Sequence, residues 1–141
     1  MSVNILIVDD EEGIRKSLGA YLKLEGYHVD TAGGGNEAIE KLRELKRNII
    51  LLDINMPGMD GLETLRAIKS HDFSIQVIMM TAFSTFEKTM KSLEFGASDY
   101  ILKPFDDLTE ILRLIQLSEE RLDRWKRNMS ETIIKQRDQD Q

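Results

Sequence analysis

Short uninterrupted apolar runs alternate along the chain with segments in which apolar residues recur at helical spacing. A run such as Ile49–Leu52 is too short to cross a membrane and too continuous for one face of a helix, so it predicts a strand buried on both faces. The strand-length runs are Ile5–Val8, Tyr27–Thr31, Ile49–Leu52, Ile75–Met80 and Tyr100–Leu102. The sequence therefore predicts five strands in chain order.

The segments between and after these runs predict amphipathic helices, because their apolar residues lie three or four positions apart. The residues expected to face the core are, helix by helix, Ile14, Leu18, Tyr21 or Leu22, and Leu24; Ala38, Ile39, Leu42 and Leu45; Leu62, Leu65, Ala67 and Ile68; Phe86, Met90 and Leu93; and Leu108, Ile111 and Ile115. Asp60 with Glu63, and Ser84 with Glu87, stand at capping-box spacing. They predict the starts of the third and fourth helices.

Strands that alternate with helices predict an α/β fold, in which a doubly wound parallel sheet lies between two helical layers. Periodicity alone does not determine the strand order. A single acidic cleft requires the strands that end at Asp10 and Asp53 to be neighbours, and the order 2-1-3-4-5 satisfies this condition. We therefore expect a flavodoxin-like (βα)5 sheet with an extended C-terminal helix.

The composition limits the classes of protein to which the chain can belong. Its 141 residues are enough for one domain with a buried core, and the absence of cysteine excludes disulfides, thiolate metal sites and a cysteine nucleophile. The 19 basic and 25 acidic residues give a net charge of −6, which argues against nucleic-acid binding. The N-terminus lacks the pattern of a secretory signal and no run is long enough for a membrane span, so we expect a cytoplasmic protein.

Polar or charged residues follow four of the predicted strands: Asp9 and Asp10, Asp53, Thr81 and Lys103. A single aspartate before a turn is often only a cap, but the carboxyl ends of parallel strands meet at one edge, so these side chains predict a shared site. Carboxylates this close together need a cation, and an all-oxygen site suits Mg²⁺. Lys103 and Thr81 would then bind phosphoryl oxygens while Asp53 acts as an oxygen nucleophile.

The chain resembles the receiver domains of bacterial two-component response regulators in four segments: DD at 9–10, LLDINMPGMDG at 51–61, TA at 81–82 and DYILKPF at 99–105. The resemblance covers residues 3–118. It implies that Asp53 is the phosphoacceptor, which takes a phosphoryl group from a histidine kinase or a phosphotransfer protein. It also implies that Mg²⁺ is bound by Asp10, Asp53 and the backbone carbonyl of Asn55, and by Asp9 through a water molecule.

The same resemblance implies a conformational switch. Thr81 and Tyr100 correspond to the switch pair, and Lys103 corresponds to the phosphate-binding lysine, whose bond to Pro104 is usually cis in the family. On phosphorylation Thr81 moves toward the phosphoryl group, Tyr100 turns inward, and the surface of the fourth helix, fifth strand and fifth helix becomes the readout face for a partner or a second copy. The chain would then be a signalling switch that assists its own phosphorylation and dephosphorylation, rather than an enzyme.

The sequence departs from the family pattern in two places. Thr89 and Ser92 stand where relatives often have alanines, and the pair Arg47-Asn48 replaces a common Pro-Asp. Both departures lie away from the acidic site formed by Asp9, Asp10 and Asp53. We therefore expect them to affect partner recognition rather than phosphorylation.

The apolar pattern of the last helix continues beyond the point where a receiver domain ends. Two registers recur every seven residues: Leu108, Ile115, Leu122 and Met129, and Ile111, Ser118, Trp125 and Thr132. We therefore divide the chain into a receiver domain, residues 1–118, and a helical extension, residues 119–141. The extension is either a coiled coil that pairs with a second copy or a linker to an output domain, and Trp125 either joins that contact or packs back on its own domain.

Three alternatives remain at this point. A phosphatase of the haloacid-dehalogenase kind also uses an aspartate after a buried strand with Mg²⁺, but carries an acid two positions later, where this chain has Asn55. A flavodoxin-like cofactor protein shares the fold class, but the acidic residues 9–12 would repel a flavin phosphate. A pseudo-receiver would bind partners without being phosphorylated, and the complete acidic set argues against it.

Overall fold

A computed structural model describes residues 3–82 and 85–140 of the chain. Within these residues, strands and helices alternate in the order β1 (Asn4–Val8), α1 (Glu12–Leu24), β2 (His28–Ala32), α2 (Gly35–Glu44), β3 (Ile49–Asp53), α3 (Gly61–His71), β4 (Gln76–Thr81), α4 (Phe86–Glu94), β5 (Asp99–Leu102) and α5 (Leu108–Gln139). The predicted strands and helices are thus confirmed in number, type and order for the described part of the chain.

The five strands form one parallel sheet in the order β2-β1-β3-β4-β5, as the sequence predicts. Strand β1 pairs with both β2 and β3, and its Val8 lies opposite Leu52. Every residue of β3 and β4 is buried, because helices cover both faces of the sheet. The carboxyl ends of β1 and β3 are therefore neighbours at the same edge of the sheet.

Alternate residues of each central strand contribute to two separate cores. Ile50 and Leu52 pack on one face of the sheet, with the buried sides of α2 and α3. Ile49 and Leu51 pack on the other face, with α1 and the first half of α5. This division follows from the two-residue repeat of a strand, which turns successive side chains to opposite faces.

Some apolar side chains expected to face the core are exposed. Leu24, at the end of α1, is 87% exposed, and the α4 residues Phe86, Met90 and Leu93 are 82%, 43% and 46% exposed. The buried residue of α4 is instead Ser92, whose hydroxyl donates a hydrogen bond to the carbonyl of Lys88 (2.9 Å). Helical spacing predicts correctly that residues share a face, but it does not specify which layer that face contacts.

The start of α3 confirms the predicted cap, whereas α4 begins differently. The Asp60 carboxylate accepts a hydrogen bond from the backbone N–H of Glu63 (2.9 Å), which caps α3. The predicted cap Ser84 lies outside the described residues. The hydroxyl of Thr85 accepts from the backbone N–H of Lys88 (3.2 Å), so Thr85 is the N-cap of α4.

Helix α5 has 32 residues and is therefore about 48 Å long. Its middle contacts the amino-terminal edge of the sheet, where Ser118 and Leu122 are buried and Arg121 Nη1 donates to Gln76 Oε1 (2.7 Å). The Tyr27 hydroxyl also donates to the carboxylate of Glu119.

Beyond Leu122 the helix is largely exposed. Met129, Ile133 and Ile134 are 65%, 52% and 57% exposed, and Trp125 is 36% exposed. Among the described residues, no helix has the length and apolar character needed to cross a membrane.

Candidate functional site

The ends of β1 and β3 bring three carboxylates together. Oxygen atoms of Asp9, Asp10 and Asp53 lie within 4.8 Å of one another. Asp9 and Asp53 are almost completely buried, at 0% and 3% exposure, whereas Asp10 is exposed. Two of the three carboxylates are thus held inside the protein, and the third borders on solvent.

Lys103 enters this group from the end of β5. Its Nζ donates to Asp9 Oδ2 at 2.6 Å and lies 3.4 Å from Asp53 Oδ2, and its side chain is only 7% exposed. The Lys103–Pro104 peptide bond is cis, as the family resemblance implies. The backbone N–H of Lys103 donates to the carbonyl of Thr81 (2.7 Å), which fixes the end of β5 against the end of β4.

The carboxylates and the lysine perturb one another. Burial, together with the negative charge of Asp9, raises the pKa of Asp53 to about 6, although Lys103 opposes this shift. Burial by itself would lower the pKa of Lys103, but the hydrogen bond and charge of Asp9 outweigh it, so that this pKa is raised. Lys103 is therefore a permanent cation at neutral pH.

One ammonium group does not balance three ionised carboxylates, so the site keeps an excess of negative charge. Its donor atoms are all oxygens, and its outer carboxylate is open to solvent. This donor set fits a small hard dication such as Mg²⁺, which binds a few carboxylates and retains water molecules.

The loop after β3 folds back against the site. The backbone N–H of Asn55 donates to Asp53 Oδ1 (3.2 Å), and that of Ile54 donates to Met80 in β4 (2.9 Å). Gly61 closes the loop by donating to the carbonyl of Ile54 (3.0 Å). Asn55 is thus placed beside Asp53.

Thr81 and Tyr100 differ in their environments. Thr81 is completely buried, and its hydroxyl has no hydrogen-bond partner among residues 3–82 and 85–140. Tyr100 is 44% exposed on β5, the edge strand. A buried hydroxyl without a partner costs free energy, so Thr81 has an unused donor close to the end of β4.

Two further side chains contact this region and were not predicted. Arg15 Nη1 donates to the carbonyl oxygen of Asp9 (2.7 Å), and Lys88 Nζ lies 3.5 Å from Asn55 Oδ1. Arg15 is followed by Lys16, and residue type and spacing do not distinguish the two. The role of Arg15 therefore follows from the tertiary structure and not from the sequence.

The sequence matches the family described as the response regulator receiver domain over residues 5–116. The chain belongs to this family. The receiver domain accounts for most of the chain, and receiver domains are phosphorylation-dependent switches in two-component systems, where they interact with histidine kinases or phosphotransfer proteins.

Similar proteins include some much longer than this chain and some of comparable length. Regulatory protein AtoC from Escherichia coli is 38% identical over 112 residues, which are 79% of this chain and 24% of AtoC. This chain thus spans about a quarter of that relative. Sporulation initiation phosphotransferase F from Bacillus subtilis is 41% identical over 106 residues, 75% of this chain and 86% of that protein.

A solved structure extends the similarity to the tertiary level. Response regulator protein TrrA from Thermotoga maritima superimposes with a TM-score of 0.74 at 34% identity, covering 82% of this chain and 98% of TrrA. That structure was solved in complex with Mg(2+)-BeF. This receiver domain therefore shares its fold with a relative that was crystallised with Mg²⁺.

Proposed function

We propose that Asp53 accepts a phosphoryl group from a histidine kinase or a phosphotransfer protein and carries it as an acyl phosphate. A carboxylate oxygen of Asp53 forms the new bond to phosphorus, while the bond from phosphorus to the donor's imidazole nitrogen breaks and its electron pair stays on that nitrogen. The observation that carries this proposal is the convergence of Asp9, Asp10 and Asp53 with Lys103 at one edge of the sheet.

Mg²⁺ belongs to the same proposal. Asp10, Asp53 and the backbone carbonyl of Asn55 would bind the ion directly, and Asp9 would act through a water molecule. When bound, the ion neutralises charge on the carboxylates and on the phosphoryl oxygens. Lys103, already held by Asp9, would donate to a phosphoryl oxygen without a large rearrangement.

The switch would use the unused donor of Thr81. A phosphoryl group on Asp53 adds about −1.5 to −2 charges and new acceptor oxygens. The Thr81 hydroxyl, which has no partner among the described residues, would donate to one of them and leave space into which Tyr100 turns. Because the inward rotation would remove the Tyr100 side chain from the surface, the surface of α4, β5 and α5 would change.

That surface is the proposed readout face. The exposed apolar side chains that α4 and β5 contribute to it are Phe86, Met90, Leu93, Tyr100 and Leu102. It would bind a downstream partner or a second copy of the chain.

We further propose the division into a receiver domain, residues 1–118, and a helical extension, residues 119–141. Exposed Trp125 and Met129, one from each seven-residue register, support a coiled coil with a second copy or a linker to an output domain. The chain would act on its own phosphoryl group and would not turn over a separate substrate. A cytoplasmic location, typical of response regulators, completes the proposal.

Phosphorylation by acetyl phosphate tests the assignment of Asp53. With Mg²⁺ present, intact-mass spectrometry should show one added phosphoryl group, which should be absent when Mg²⁺ is chelated. Asp53→Asn should remain unlabelled, while Asp60→Asn, which keeps the α3 cap acceptor, should be labelled like wild type. Labelling of Asp53→Asn, or no labelling of the wild type, would contradict the proposal.

A further inference from the structure

Among residues 3–82 and 85–140, Arg15 is the residue whose side chain contacts the peptide that joins Asp9 and Asp10. Its Nη1 donates to the carbonyl oxygen of Asp9 at 2.7 Å. Arg15 itself is partly buried on α1. A charged guanidinium donor at this distance makes a strong hydrogen bond with a defined direction.

Asp9 is held at both ends of its backbone and at both oxygens of its side chain. Its N–H donates to the carbonyl of Ala32 (3.1 Å), and Arg15 holds its carbonyl. Its carboxylate accepts from the N–H of Glu11 (2.9 Å) and from Lys103 (2.6 Å). Asp9 is therefore rigidly placed.

Asp10 has no such support. Its side chain is exposed, and no hydrogen bond or ion pair to its carboxylate is found within residues 3–82 and 85–140. Its Cα lies in the same peptide plane as the Asp9 carbonyl, because the peptide bond is planar. The direction of that carbonyl, which Arg15 holds, therefore sets the position of the Asp10 Cα and limits where the Asp10 carboxylate can reach.

The guanidinium of Arg15 is itself confined by the β2–α2 loop. A Cβ built on Gly33 would lie 3.6 Å from Arg15 Nη1, so the guanidinium lies against this glycine. The carboxylate of Glu37 accepts a hydrogen bond from the N–H of Gly33 (2.8 Å). This hydrogen bond is the main cause that lowers the pKa of Glu37, and the positive charges of Lys41 and Arg15 lower it further. Arg15 thus links the loop that carries the acids to the neighbouring loop.

We propose that Arg15 is a positioning residue, which fixes the Asp9–Asp10 peptide so that the Asp10 carboxylate joins Asp53 in binding Mg²⁺. The inference rests on the proposed function of the site as a Mg²⁺ site. It makes a prediction opposite in sign to simple electrostatics. Removing a positive charge near a dication site would by charge alone strengthen binding, whereas loss of positioning weakens it.

The test compares Arg15→Gln with Lys16→Gln by calorimetric titration of Mg²⁺ into the phosphate-free protein. Lys16 is the matched control, because it is adjacent on α1 and carries the same charge, and within the described part of the chain its ammonium group makes only an exposed ion pair with Glu12 (3.1 Å). We expect the Mg²⁺ dissociation constant to rise about 10-fold in Arg15→Gln, as for partners that orient a metal ligand, and to stay within about twofold in Lys16→Gln.

A second measurement separates positioning from general damage to the site. With acetyl phosphate as donor, Arg15→Gln should need about 10-fold more Mg²⁺ for half-maximal labelling of Asp53, while its labelling rate at saturating Mg²⁺ stays within about twofold of wild type. A loss of maximal rate with an unchanged Mg²⁺ requirement would overturn the positioning role.

The outcomes distinguish the inference from the function on which it rests. If wild type binds no Mg²⁺, the proposed function fails. If wild type binds Mg²⁺ and Arg15→Gln binds it equally or more tightly, only the role of Arg15 is overturned. Should circular dichroism show that Arg15→Gln is unfolded, Arg15→Lys replaces it, since lysine keeps the charge without the planar fork, and unchanged Mg²⁺ affinity in Arg15→Lys then overturns the inference.

Discussion

The close approach of Gly61 to the end of β3 leads to a specific stability prediction. Gly61 is the first residue of α3, and a Cβ added there would lie 2.5 Å from both the carbonyl oxygen of Asp53 and the Cα of Ile54. Ordinary contacts begin near 3.4 Å, so the backbone of one segment must move by roughly 0.9 Å. No flexible side chain is among these contacts that could yield instead.

The expected cost of Gly61→Ala follows from these contacts. Overpacking against rigid neighbours costs about 1–3 kcal/mol, and weakening the hydrogen bond from Gly61 N–H to the Ile54 carbonyl adds about 1 kcal/mol. The higher helix propensity of alanine returns at most about 1 kcal/mol. We therefore expect a net loss of about 2–3 kcal/mol in the free energy of unfolding, near the middle of the range of roughly 1–4 kcal/mol that these contributions allow.

Gly13→Ala is the matched control for this substitution. Gly13 lies in the first turn of α1, and a Cβ there meets nothing within 4 Å. The same chemical change should therefore stabilise the protein by about 0.5–1 kcal/mol, since alanine has the better helix propensity and restricts the unfolded chain.

Urea unfolding followed by circular dichroism measures both variants. The midpoint of Gly61→Ala should fall by about 1–2 M, whereas that of Gly13→Ala should rise slightly. Because the carbonyl of Asp53 is among the displaced atoms, Gly61→Ala should also bind Mg²⁺ more weakly. Equal stability of Gly61→Ala and wild type, or the same sign of change in both variants, would refute the reasoning.

Three further predictions concern other parts of the molecule. Burial and the charge of Asp9 raise the pKa of Asp53 to about 6, so the protonated carboxyl favours the folded state below about pH 4, and this contribution is lost as the pH rises through 6. Asp53→Asn has no such ionisation. In urea unfolding without Mg²⁺, the stability of Asp53→Asn relative to wild type should therefore increase by up to roughly 3 kcal/mol from pH 4 to pH 7.5. Thr81→Ala should keep Mg²⁺-dependent labelling by acetyl phosphate but should lose any phosphorylation-dependent change in oligomeric state measured by light scattering, since the donor that senses the phosphoryl group is gone. Arg121→Ala should lower the free energy of unfolding by about 1 kcal/mol in thermal melts, because it removes a hydrogen bond to buried Gln76.

Each of these predictions has a contradicting result. A stability difference between Asp53→Asn and wild type that is the same at pH 4 and 7.5 would show that the pKa of Asp53 is not raised in the folded state. Phosphorylation-dependent assembly that is equal in Thr81→Ala and wild type would exclude Thr81 as the sensor. Arg124→Ala, at an exposed position three residues along α5, is the control for Arg121→Ala, and an equal loss in both variants would exclude the Gln76 contact as the cause.

The strands and the site at their ends could be predicted from the sequence because both depend on local patterns. Four apolar residues in succession, as at Ile49–Leu52, require burial on both faces whatever lies around them. Residues that follow such strands, such as Asp9, Asp53 and Lys103, then lie at one edge, because parallel strands all end there.

Which face of each helix is buried could not be predicted in the same way. The i, i+4 spacing of Phe86 and Met90 placed them correctly on one face, yet that face is exposed while Ser92 is buried. Leu24 and Leu45 likewise continue the apolar stripes of α1 and α2, but they lie at the C-terminal ends of these helices and are 87% and 53% exposed. Burial depends on what lies opposite a side chain, and that is a property of the assembled layers.

The sequence by itself determined the order of strands and helices, the family, and the group of acids with its lysine, since these follow from residue type and short-range periodicity. Only the tertiary structure decided that Arg15 rather than Lys16 holds the Asp9 carbonyl, and that Arg121 bonds to Gln76, 45 positions earlier in the chain. Such contacts join segments that are distant along the chain. Their geometry is set by the packing of whole helices on the sheet, which no local pattern records.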